Sequence, residues 1–317
     1  MTDPSGASKG ASPPWIVIAG PTGSGKSELA LRLAAALGGE IVNYDSIQVY
    51  RGFDIGSAKP SLADRQAVTH HLLDIVDAGE DYDASRFARE ASDVCEDIIA
   101  RGRWPILAGG TFFYLRALLQ GLPLMPGRDE GIRSRLRRLA ALPRGPGHLH
   151  RWLSKIDPQS GQRVPPGDRH RVERALEVWL LTGTPISRWE APSSRGGEGK
   201  AAIWIGLSLS RDRLTAALDQ RVEAMYAAGL VEETRSLLER YPQDARPFTA
   251  IGFREAVQIV RGSLQEAAAI AETKRRTRGY AKRQMTWLRS ERNVHWVDAG
   301  DREAALKAAL RVIEGQD

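Results

Sequence analysis

A glycine-rich segment near the start of the chain carries the residue types that bind phosphate groups. Its sequence, Gly20-Pro-Thr-Gly-Ser-Gly-Lys26-Ser27, fits the spacing G-x-x-x-x-G-K-[ST], and an apolar run precedes it while a helical pattern follows. In such a loop, backbone N–H groups surround phosphate oxygens, a lysine adds positive charge and a serine hydroxyl binds Mg²⁺. We therefore predict a bound diphosphate or triphosphate, with Ser27 as the metal ligand. The predicted phosphate-binding residues are Gly20, Pro21, Thr22, Gly23, Ser24, Gly25, Lys26 and Ser27.

A carboxylate and an amide follow the second predicted strand, residues 40–44. These are Asp45 and Gln48. A carboxylate near a phosphate site binds Mg²⁺ or takes a proton from a substrate. The amide of Gln48 has the donor and the acceptor that pair with an adenine edge. An acidic helix cap followed by an ordinary loop is the alternative, and this segment alone leaves it open.

Three further features indicate chemistry more weakly. Thr111 follows two glycines after the predicted strand 104–108, and its hydroxyl can donate to a phosphate or leaving-group oxygen. His70 and His71 are adjacent, but neighbouring side chains of an extended segment point to opposite faces, so we predict no metal ion between them. Cys95 belongs to an apolar helical stripe, which predicts a thiol buried in the core.

The charges of the chain are clustered. The 317 residues are 42% hydrophobic and carry a net charge of +6. Residues 128–174 contain 12 lysines and arginines against five acidic residues, and residues 274–289 contain seven basic residues and no acid. Such clusters are typical of a surface that binds a polyanion, although a solvated helix face is the alternative for either one.

Neither a membrane nor an oxidising compartment is expected. No apolar run approaches the roughly 20 residues of a membrane span. Residues 1–13 are rich in small and polar residues, which predicts a disordered tail rather than a signal peptide. The single cysteine excludes an internal disulfide, and this suits the reducing cytoplasm.

The order of the predicted elements indicates an α/β fold with a helical insertion. Strands alternate with helices from residue 15 to about 122, which predicts a parallel sheet flanked by helices, with its ligands at the carboxyl ends of the strands. We predict a core domain over residues 14–123 and 201–317, ending in basic helices. A mainly helical insertion domain over residues 124–200 separates its parts, and its last ten residues read as a flexible linker.

Taken together, the motifs resemble those of the bacterial tRNA dimethylallyltransferases. The matches run in order through almost the whole chain, and the block that begins Asp45-Ser-Ile-Gln-Val-Tyr50 is far more specific than a phosphate-binding loop. Three phenylalanines depart from the family pattern, and we expect Phe112, Phe113 and Phe253 to alter the lining of a prenyl pocket or channel. The other matching segments are His71-Leu-Leu-Asp74, Gly109-Gly-Thr111, Asp168-Arg-His-Arg-Val-Glu-Arg-Ala-Leu-Glu177, Ala250-Ile-Gly-Phe-Arg-Glu255 and Tyr280-Ala-Lys-Arg-Gln-Met-Thr-Trp-Leu-Arg289.

The resemblance implies a reaction and a fold. The fold would be like that of P-loop NTPases, and the reaction would move a dimethylallyl group from dimethylallyl diphosphate to N6 of adenosine 37, beside the anticodon, in tRNAs that read codons beginning with U. Asp45 would take the proton from the adenine amine, and Thr111 would hold a bridging or leaving oxygen. Lys26, Arg221 and Mg²⁺ would stabilise the diphosphate that leaves.

The resemblance also implies how tRNA is bound. Gln48 would read the target base after it leaves the stack. The enzyme would be a monomer that binds the anticodon stem-loop. The positions that match tRNA contacts of the family are Asp45, Ser46, Ile47, Gln48, Thr111, Arg133, His170, Arg171, Val172, Glu173 and Arg174.

Other functions fit parts of the sequence. A P-loop kinase for a small metabolite or nucleoside, using ATP, explains the phosphate-binding segment but not the arginine-rich insertion. An RNA-binding protein controlled by a nucleotide would need no prenyl chemistry. A prenyltransferase for free adenine nucleotides would have little use for both basic clusters.

Overall fold

The computed structural model describes residues 13–123, 125–189 and 202–315. The predicted tail, except for its last residue, and the predicted linker over residues 191–200 lie outside these described residues. The chain divides into two compact units, which we call the core unit (residues 1–119 and 199–317) and the helical unit (120–198). The division falls slightly before the predicted boundary at residue 123.

A parallel sheet of six strands forms the centre of the core unit. Its spatial order is β3-β2-β4-β1-β5-β6, and every neighbouring pair is parallel. The side chains of β1 are all buried, as expected for a parallel sheet covered on both faces. The α/β prediction is therefore confirmed. The strands are β1 (Trp15–Ala19), β2 (Glu40–Asn43), β3 (His70–His71), β4 (Pro105–Ala108), β5 (Ala202–Ser208) and β6 (Val294–Asp298).

Helices make up most of the rest of the described chain. Most of the predicted helices are present, and their ends shift by one or two residues at most. In chain order they are α1 (Lys26–Leu37), α2 (Leu62–Ala67), α3 (Ala84–Ala100), α4 (Phe112–Gln120), α5 (Glu130–Ala141), α6 (Gly145–Ile156), α7 (Pro158–Arg163), α8 (Arg169–Thr182), α9 (Ile186–Trp189), α10 (Arg211–Ala227), α11 (Leu230–Arg240), α12 (Phe253–Val260), α13 (Glu266–Leu288) and α14 (Arg302–Ile313), with a 3₁₀ helix at Arg246–Thr249.

A segment rich in proline and glycine forms the start of a helix. The run Pro143-Arg-Gly-Pro-Gly147 is typical of a break between helices, but α6 begins at Gly145. Pro146 stands in its first turn, where the missing N–H of proline removes no helical hydrogen bond. Proline therefore marks the beginning of α6 rather than an interruption between helices.

Each unit has an apolar core of its own. In the core unit, Ile16, Leu33, Ile106 and Ile205 are fully buried where the sheet meets α1 and α14. In the helical unit, aliphatic side chains of α5, α6 and α8 pack together around Leu153 and Leu176. Cys95 is fully buried in α3, so the predicted core thiol is confirmed. Within the described residues, every helix is too short or too polar to cross a membrane.

Candidate active site

A cavity of about 490 Å³ lies at the carboxyl ends of the central strands of the core unit. The loop after β1, the segments after β2 and β4, residues 57–60 and parts of α10 and α13 line it. Parallel strands place the loops that follow them at one edge of the sheet, and this brings together residues far apart in sequence. Of the predicted site residues, the cavity is lined by Thr22, Gly23, Gly25, Lys26, Ser27, Asp45, Gln48 and Arg221.

The glycine-rich loop has the backbone shape that its sequence predicts. Gly23 and Gly25 have φ angles of 78° and 88°, in the left-handed region that glycine adopts without strain. A Cβ at Gly23 would also lie 2.8 Å from Leu218. Gly25 precedes α1, and no side chain caps the first turn of that helix. Its N–H groups are thus suited to bind an anion.

Two basic side chains, Lys26 and Arg221, line the cavity, and both are desolvated. Lys26 is only 9% exposed and donates through Nζ to the carbonyl oxygen of Pro21 at 2.8 Å. Burial, followed by the nearby charge of Arg221, lowers the pKa of Lys26 to about 7, while Asp45 opposes this shift. Burial also lowers the pKa of Arg221, again opposed by Asp45. An anion between these groups would favour their charged forms.

Asp45 is held in place by the backbone that follows it. Its Oδ1 accepts hydrogen bonds from the N–H groups of Ile47, at 2.9 Å, and Gln48, at 3.4 Å. Its Oδ2 faces Gly110, where an added Cβ would lie 3.0 Å from that oxygen. Asp45 therefore caps a turn, as the alternative interpretation proposed, and also lines the cavity.

Thr111 supports the segment after β2. Its Oγ1 accepts from the N–H of Ser46 at 3.0 Å and donates to Oγ of Ser46 at 3.1 Å. Neither residue lines the cavity, so the contact of Thr111 with a leaving oxygen stays a prediction. The other predicted residues that lie beside the cavity without lining it are Gly20, Pro21, Ser24 and Ile47.

Gln48 is engaged with the loop opposite. Its Nε2 donates to the carbonyl oxygens of Ser57, at 3.1 Å, and Ala58, at 3.2 Å. Both amide protons are used, since both partners are acceptors. Gln48 must release these carbonyls before it can pair with an adenine edge through both of its polar atoms.

A buried lysine holds the loop that contains residues 57–60. The side chain of Lys59 is 1% exposed, and its Nζ binds Asp54 at 2.6 Å, Asp74 at 2.5 Å and the carbonyl oxygen of Tyr50 at 2.8 Å. Glu233 accepts from three successive N–H groups of the same loop, beginning with Asp54. These contacts give a structural role to Asp74, which ends the matching segment His71-Leu-Leu-Asp74.

Sequence reasoning missed two site residues on α13. Tyr280 and Gln284 both line the cavity and both donate to the carbonyl oxygen of Gly110, at 2.7 Å and 2.9 Å. Oε1 of Gln284 also accepts from the N–H of Thr22 at 2.8 Å. Their spacing of i and i+4 places them on one face of the helix, and this was the available signal. The basic residues of this helix predict a polyanion-binding surface and give no indication of the cavity.

The family can now be named from comparison with known proteins. Residues 48–291 match the sequence profile of the family described as IPP transferase. The chain belongs to the IPP transferase family. It is 49% identical over 282 residues to a tRNA dimethylallyltransferase of Anaeromyxobacter sp. (strain Fw109-5), covering 89% of this chain and 93% of that protein. A tRNA dimethylallyltransferase of Solibacter usitatus is 47% identical over 94% of this chain and 97% of its own length.

The solved structures that this chain resembles are also named as transferases of this kind. The full-length tRNA isopentenylpyrophosphate transferase of Bacillus halodurans superposes with a TM-score of 0.69 and 35% identity, over 96% of both chains. A eukaryotic dimethylallyltransferase acting on tRNA has a TM-score of 0.72 and 31% identity, over 94% of this chain and 78% of its own. The expected resemblance and the P-loop NTPase-like fold are confirmed. The kinase alternative is not favoured.

The three phenylalanines that depart from the IPP transferase pattern do not line the cavity. Phe112 is 6% exposed and stacks on Trp287 at 4.5 Å between ring centroids. Phe113 points outward and is 59% exposed. Phe253 is fully buried and packs edge-on against Phe53. The expectation that these residues alter the lining of the site is wrong for this cavity, because each is packed or exposed elsewhere in the core unit.

Only some of the predicted tRNA-binding side chains of the helical unit are exposed to solvent. Glu177 is fully buried and accepts from Arg133 at 2.7 Å and 3.1 Å, from Arg174 at 2.7 Å and from the N–H of Asp129. The side chain of Arg133 is 14% exposed, and it neutralises the buried carboxylate of Glu177. Val172 is 2% exposed in the core of the helical unit, so its side chain cannot contact tRNA, contrary to our prediction.

The other predicted contacts of this unit are accessible to differing degrees. His170 and Arg171 are exposed, and Arg171 pairs with Asp168 at 2.7 Å. Glu173 is half-buried. These three residues keep their tRNA-binding role as a prediction.

The second basic cluster is partly neutralised by the fold. Its sequence contains no acid, yet Lys274, Arg275, Arg276 and Arg278 pair respectively with Glu223, Glu272, Glu255 and Asp219. Lys282, Arg283 and Arg289 are exposed and form no such pair within the described residues. The free positive charge therefore lies in the carboxyl-terminal half of α13.

The two adjacent histidines turn to different partners. Nδ1 of His70 lies 2.8 Å from the carbonyl oxygen of Val68, and Nε2 of His71 lies 2.7 Å from Glu40. In the part of the chain that the structure describes, no group of three or more His, Cys, Asp or Glu side chains has the arrangement of a metal site.

Proposed function

We propose that this chain transfers a dimethylallyl group from dimethylallyl diphosphate to N6 of adenosine 37 in tRNAs that read codons beginning with U. One observation carries the proposal: two desolvated basic side chains, Lys26 and Arg221, line the same cavity as Asp45, the carboxylate whose charge acts on both of them. Phosphate-binding and proton-accepting groups thus meet in one cavity. The names of the family relatives support the choice of donor and acceptor.

The donor half of the cavity binds the diphosphate. The N–H groups of the glycine-rich loop and the charges of Lys26 and Arg221 stabilise the negative charge that grows on the leaving oxygen as the allylic C–O bond breaks. Low accessibility strengthens this stabilisation, because water competes less for the same charges. The proposal needs no hydrolysis of the diphosphate itself.

The acceptor half activates the adenine amine. The N6 lone pair forms the new bond to C1 of the dimethylallyl group, the C1–O bond breaks, and diphosphate leaves with both electrons of that bond. The proton of N6 passes to Asp45, which is a carboxylate within the same cavity. Gln48 exchanges its hydrogen bonds to the loop at residues 57–58 for contacts with the flipped base.

The residues present fit a magnesium ion that is held mainly by substrate. Ser27 lines the cavity and its exposed hydroxyl makes no hydrogen bond to other described residues. A hydroxyl without a cluster of acidic ligands is typical of Mg²⁺ that takes most of its ligands from phosphate and water. When bound there, Mg²⁺ neutralises charge on the diphosphate.

The protein binds tRNA through positive charge, as a cytoplasmic monomer. Lys282, Arg283 and Arg289 on the core unit, and His170 and Arg171 on the helical unit, are the exposed candidates for phosphate contacts. Each phosphate contact releases condensed counterions, so affinity falls as the salt concentration rises.

An incubation with labelled dimethylallyl diphosphate tests the proposal. The acceptor is tRNA or AMP in parallel reactions, and consumption of ATP is followed separately. We expect label on tRNA and diphosphate as the co-product. Label on AMP alone would indicate a nucleotide prenyltransferase, and consumption of ATP without label on tRNA would support the kinase alternative.

A further inference from the structure

A single buried amide joins the two halves of the cavity. Gln284 is 3% exposed, and its Oε1 accepts from the N–H of Thr22 in the glycine-rich loop at 2.8 Å. Its Nε2 donates to the carbonyl oxygen of Gly110 in the segment after β4 at 2.9 Å. Thr22 follows strand β1 and Gly110 follows strand β4, so the amide links two segments that are far apart in the sequence.

Gly110 is next to both this amide and the proposed base. A Cβ on Gly110 would lie 3.0 Å from Oδ2 of Asp45 and 3.3 Å from Nε2 of Gln284. The carboxylate and the amide therefore face the same side of Gly110, and a larger residue there would crowd both. Displacement of the Gly110 backbone would change the surface that Asp45 faces.

Thr22 lies on the donor side of the same bridge. It stands in the loop that carries the phosphate-binding N–H groups and Lys26, and it lines the cavity. Two hydrogen bonds lead from Thr22 through Gln284 to Gly110, and Oδ2 of Asp45 lies beside Gly110, 3.0 Å from the place that a Cβ would take.

We propose that Gln284 is a positioning residue that sets the distance between the phosphate-binding loop and Asp45, and so the distance between donor carbon and acceptor nitrogen. This inference rests on the proposed prenyl transfer. A misplacement of about 1 Å between reacting groups costs roughly 100-fold in rate. Both polar atoms of the Gln284 amide bind protein backbone, so its effect on the rate would come through the position of those segments rather than through substrate affinity.

An amide is the side chain that this place requires. Thr22 offers a donor and Gly110 an acceptor, and a primary amide satisfies both at once. Tyr280 also donates to the carbonyl oxygen of Gly110, at 2.7 Å, so this oxygen keeps one donor if Gln284 is replaced. The N–H of Thr22 would then lose the acceptor that Gln284 provides.

The first test compares two variants of α13. Gln284→Met keeps most of the side-chain volume and removes both hydrogen bonds. Thr273→Val removes a buried hydrogen bond of the same helix, between Thr273 and Tyr226 at 3.0 Å, away from the cavity. Both variants are measured for melting temperature, for single-turnover rate with saturating substrates, and for the dissociation constants of tRNA and dimethylallyl diphosphate.

We expect Gln284→Met to lower the single-turnover rate by about 10- to 100-fold while both dissociation constants change less than about threefold. Thr273→Val should lower the melting temperature without changing the rate. An unchanged rate in Gln284→Met, or an equal loss of rate in Thr273→Val at equal loss of stability, would overturn the inference.

A second variant, Gln284→Glu, tests the inference even if Gln284→Met folds poorly. In Gln284→Glu, a protonated carboxyl donates to Gly110 and accepts from Thr22 as the amide does, whereas a carboxylate cannot donate. The ratio of the variant rate to the native rate should therefore rise as the pH falls. The other titratable groups that line the cavity, among them Lys26, Asp45, Arg221 and Tyr280, are present in both proteins, so the ratio removes their own titration and leaves that of the new carboxyl together with the pKa shifts that it causes in its neighbours.

The outcomes separate this inference from the proposed function. A ratio that is independent of pH would contradict the positioning role, provided that the native protein prenylates tRNA. Failure of the native protein to label tRNA would instead contradict the proposed function itself.

Discussion

Lys26 and Arg221 lie in surroundings that disfavour their charged forms. Burial lowers the pKa of both, and Arg221 lowers that of Lys26 further. Asp45 is the acid that opposes these shifts, but its Oδ1 already accepts two backbone hydrogen bonds. The proposed diphosphate would stabilise the charged forms of both basic side chains, while the position of Asp45 is set by its own turn.

The pKa of Lys26 predicts how donor use depends on pH. In the free protein this pKa is about 7, lowered from 10.5, so Lys26 loses its proton as the pH rises above 7. We expect kcat/KM for dimethylallyl diphosphate to fall above that pH, by about tenfold per unit once the neutral form dominates. In Lys26→Arg the guanidinium stays charged, so this decline should be absent. An identical decline in both proteins would contradict the assignment.

Asp45→Asn tests the proposed base with little disturbance of the turn. The asparagine oxygen still accepts from the N–H groups of Ile47 and Gln48, whereas the amide cannot take a proton. We expect kcat to fall by about 10²- to 10⁴-fold and tRNA affinity to change less than about threefold. Asp64→Asn, which neutralises another carboxylate lining the same cavity, should leave kcat nearly unchanged. Loss of tRNA binding with normal turnover of bound tRNA would refute the role of Asp45.

Helices α5 and α8 are joined through a buried ion cluster rather than by apolar contacts alone. Glu177 of α8 is fully buried, and Arg133 of α5 and Arg174 of α8 both donate to it. Removal of one partner from a buried pair leaves a charge without full compensation, which costs far more than the loss of an exposed pair. Arg133 and Arg174 therefore stabilise the helical unit, and their contact with tRNA stays a prediction.

A comparison within α5 tests this structural role. Arg133→Ala should lower the free energy of unfolding of the helical unit by about 2 to 4 kcal/mol. Arg137→Ala, on the same helix, removes a pair with Glu130 in which both side chains are more than half exposed, and should cost less than about 1 kcal/mol. Denaturant unfolding of the full chain measures both. Weaker tRNA binding by Arg133→Ala with unchanged stability would instead return this residue to the interface.

On the scale of the whole molecule, the distribution of charge matters more than its sum. The chain carries a net charge of +6, yet acids distant in sequence neutralise the amino-terminal half of the basic cluster on α13. Among the residues that the structure describes, Lys282, Arg283 and Arg289 are exposed and have no acidic partner. A polyanion is therefore attracted to a smaller part of this helix than its sequence indicates.

The salt dependence of tRNA binding distinguishes paired from unpaired charges. Lys282→Ala should weaken binding and reduce the slope of log affinity against log salt concentration by about one. Arg275→Ala should change both less, because Glu272 already offsets its charge. Titrations of tRNA at several salt concentrations measure this slope. Equal effects of the two variants would show that the ion pair does not shield Arg275.

Local sequence determined the parts of this protein that depend on local physics. The glycine-rich loop, the buried strand before it and the helix after it follow from glycine conformations and apolar periodicity, and Asp45 and Lys26 could be named from their motifs. Long-range contacts decided the rest. Gln284 meets Thr22 across 262 positions of the chain, and Glu177 meets Arg133 across 44. A side chain's partner depends on the packing of distant elements, so only the tertiary structure shows which polar residues serve the cavity and which serve the fold.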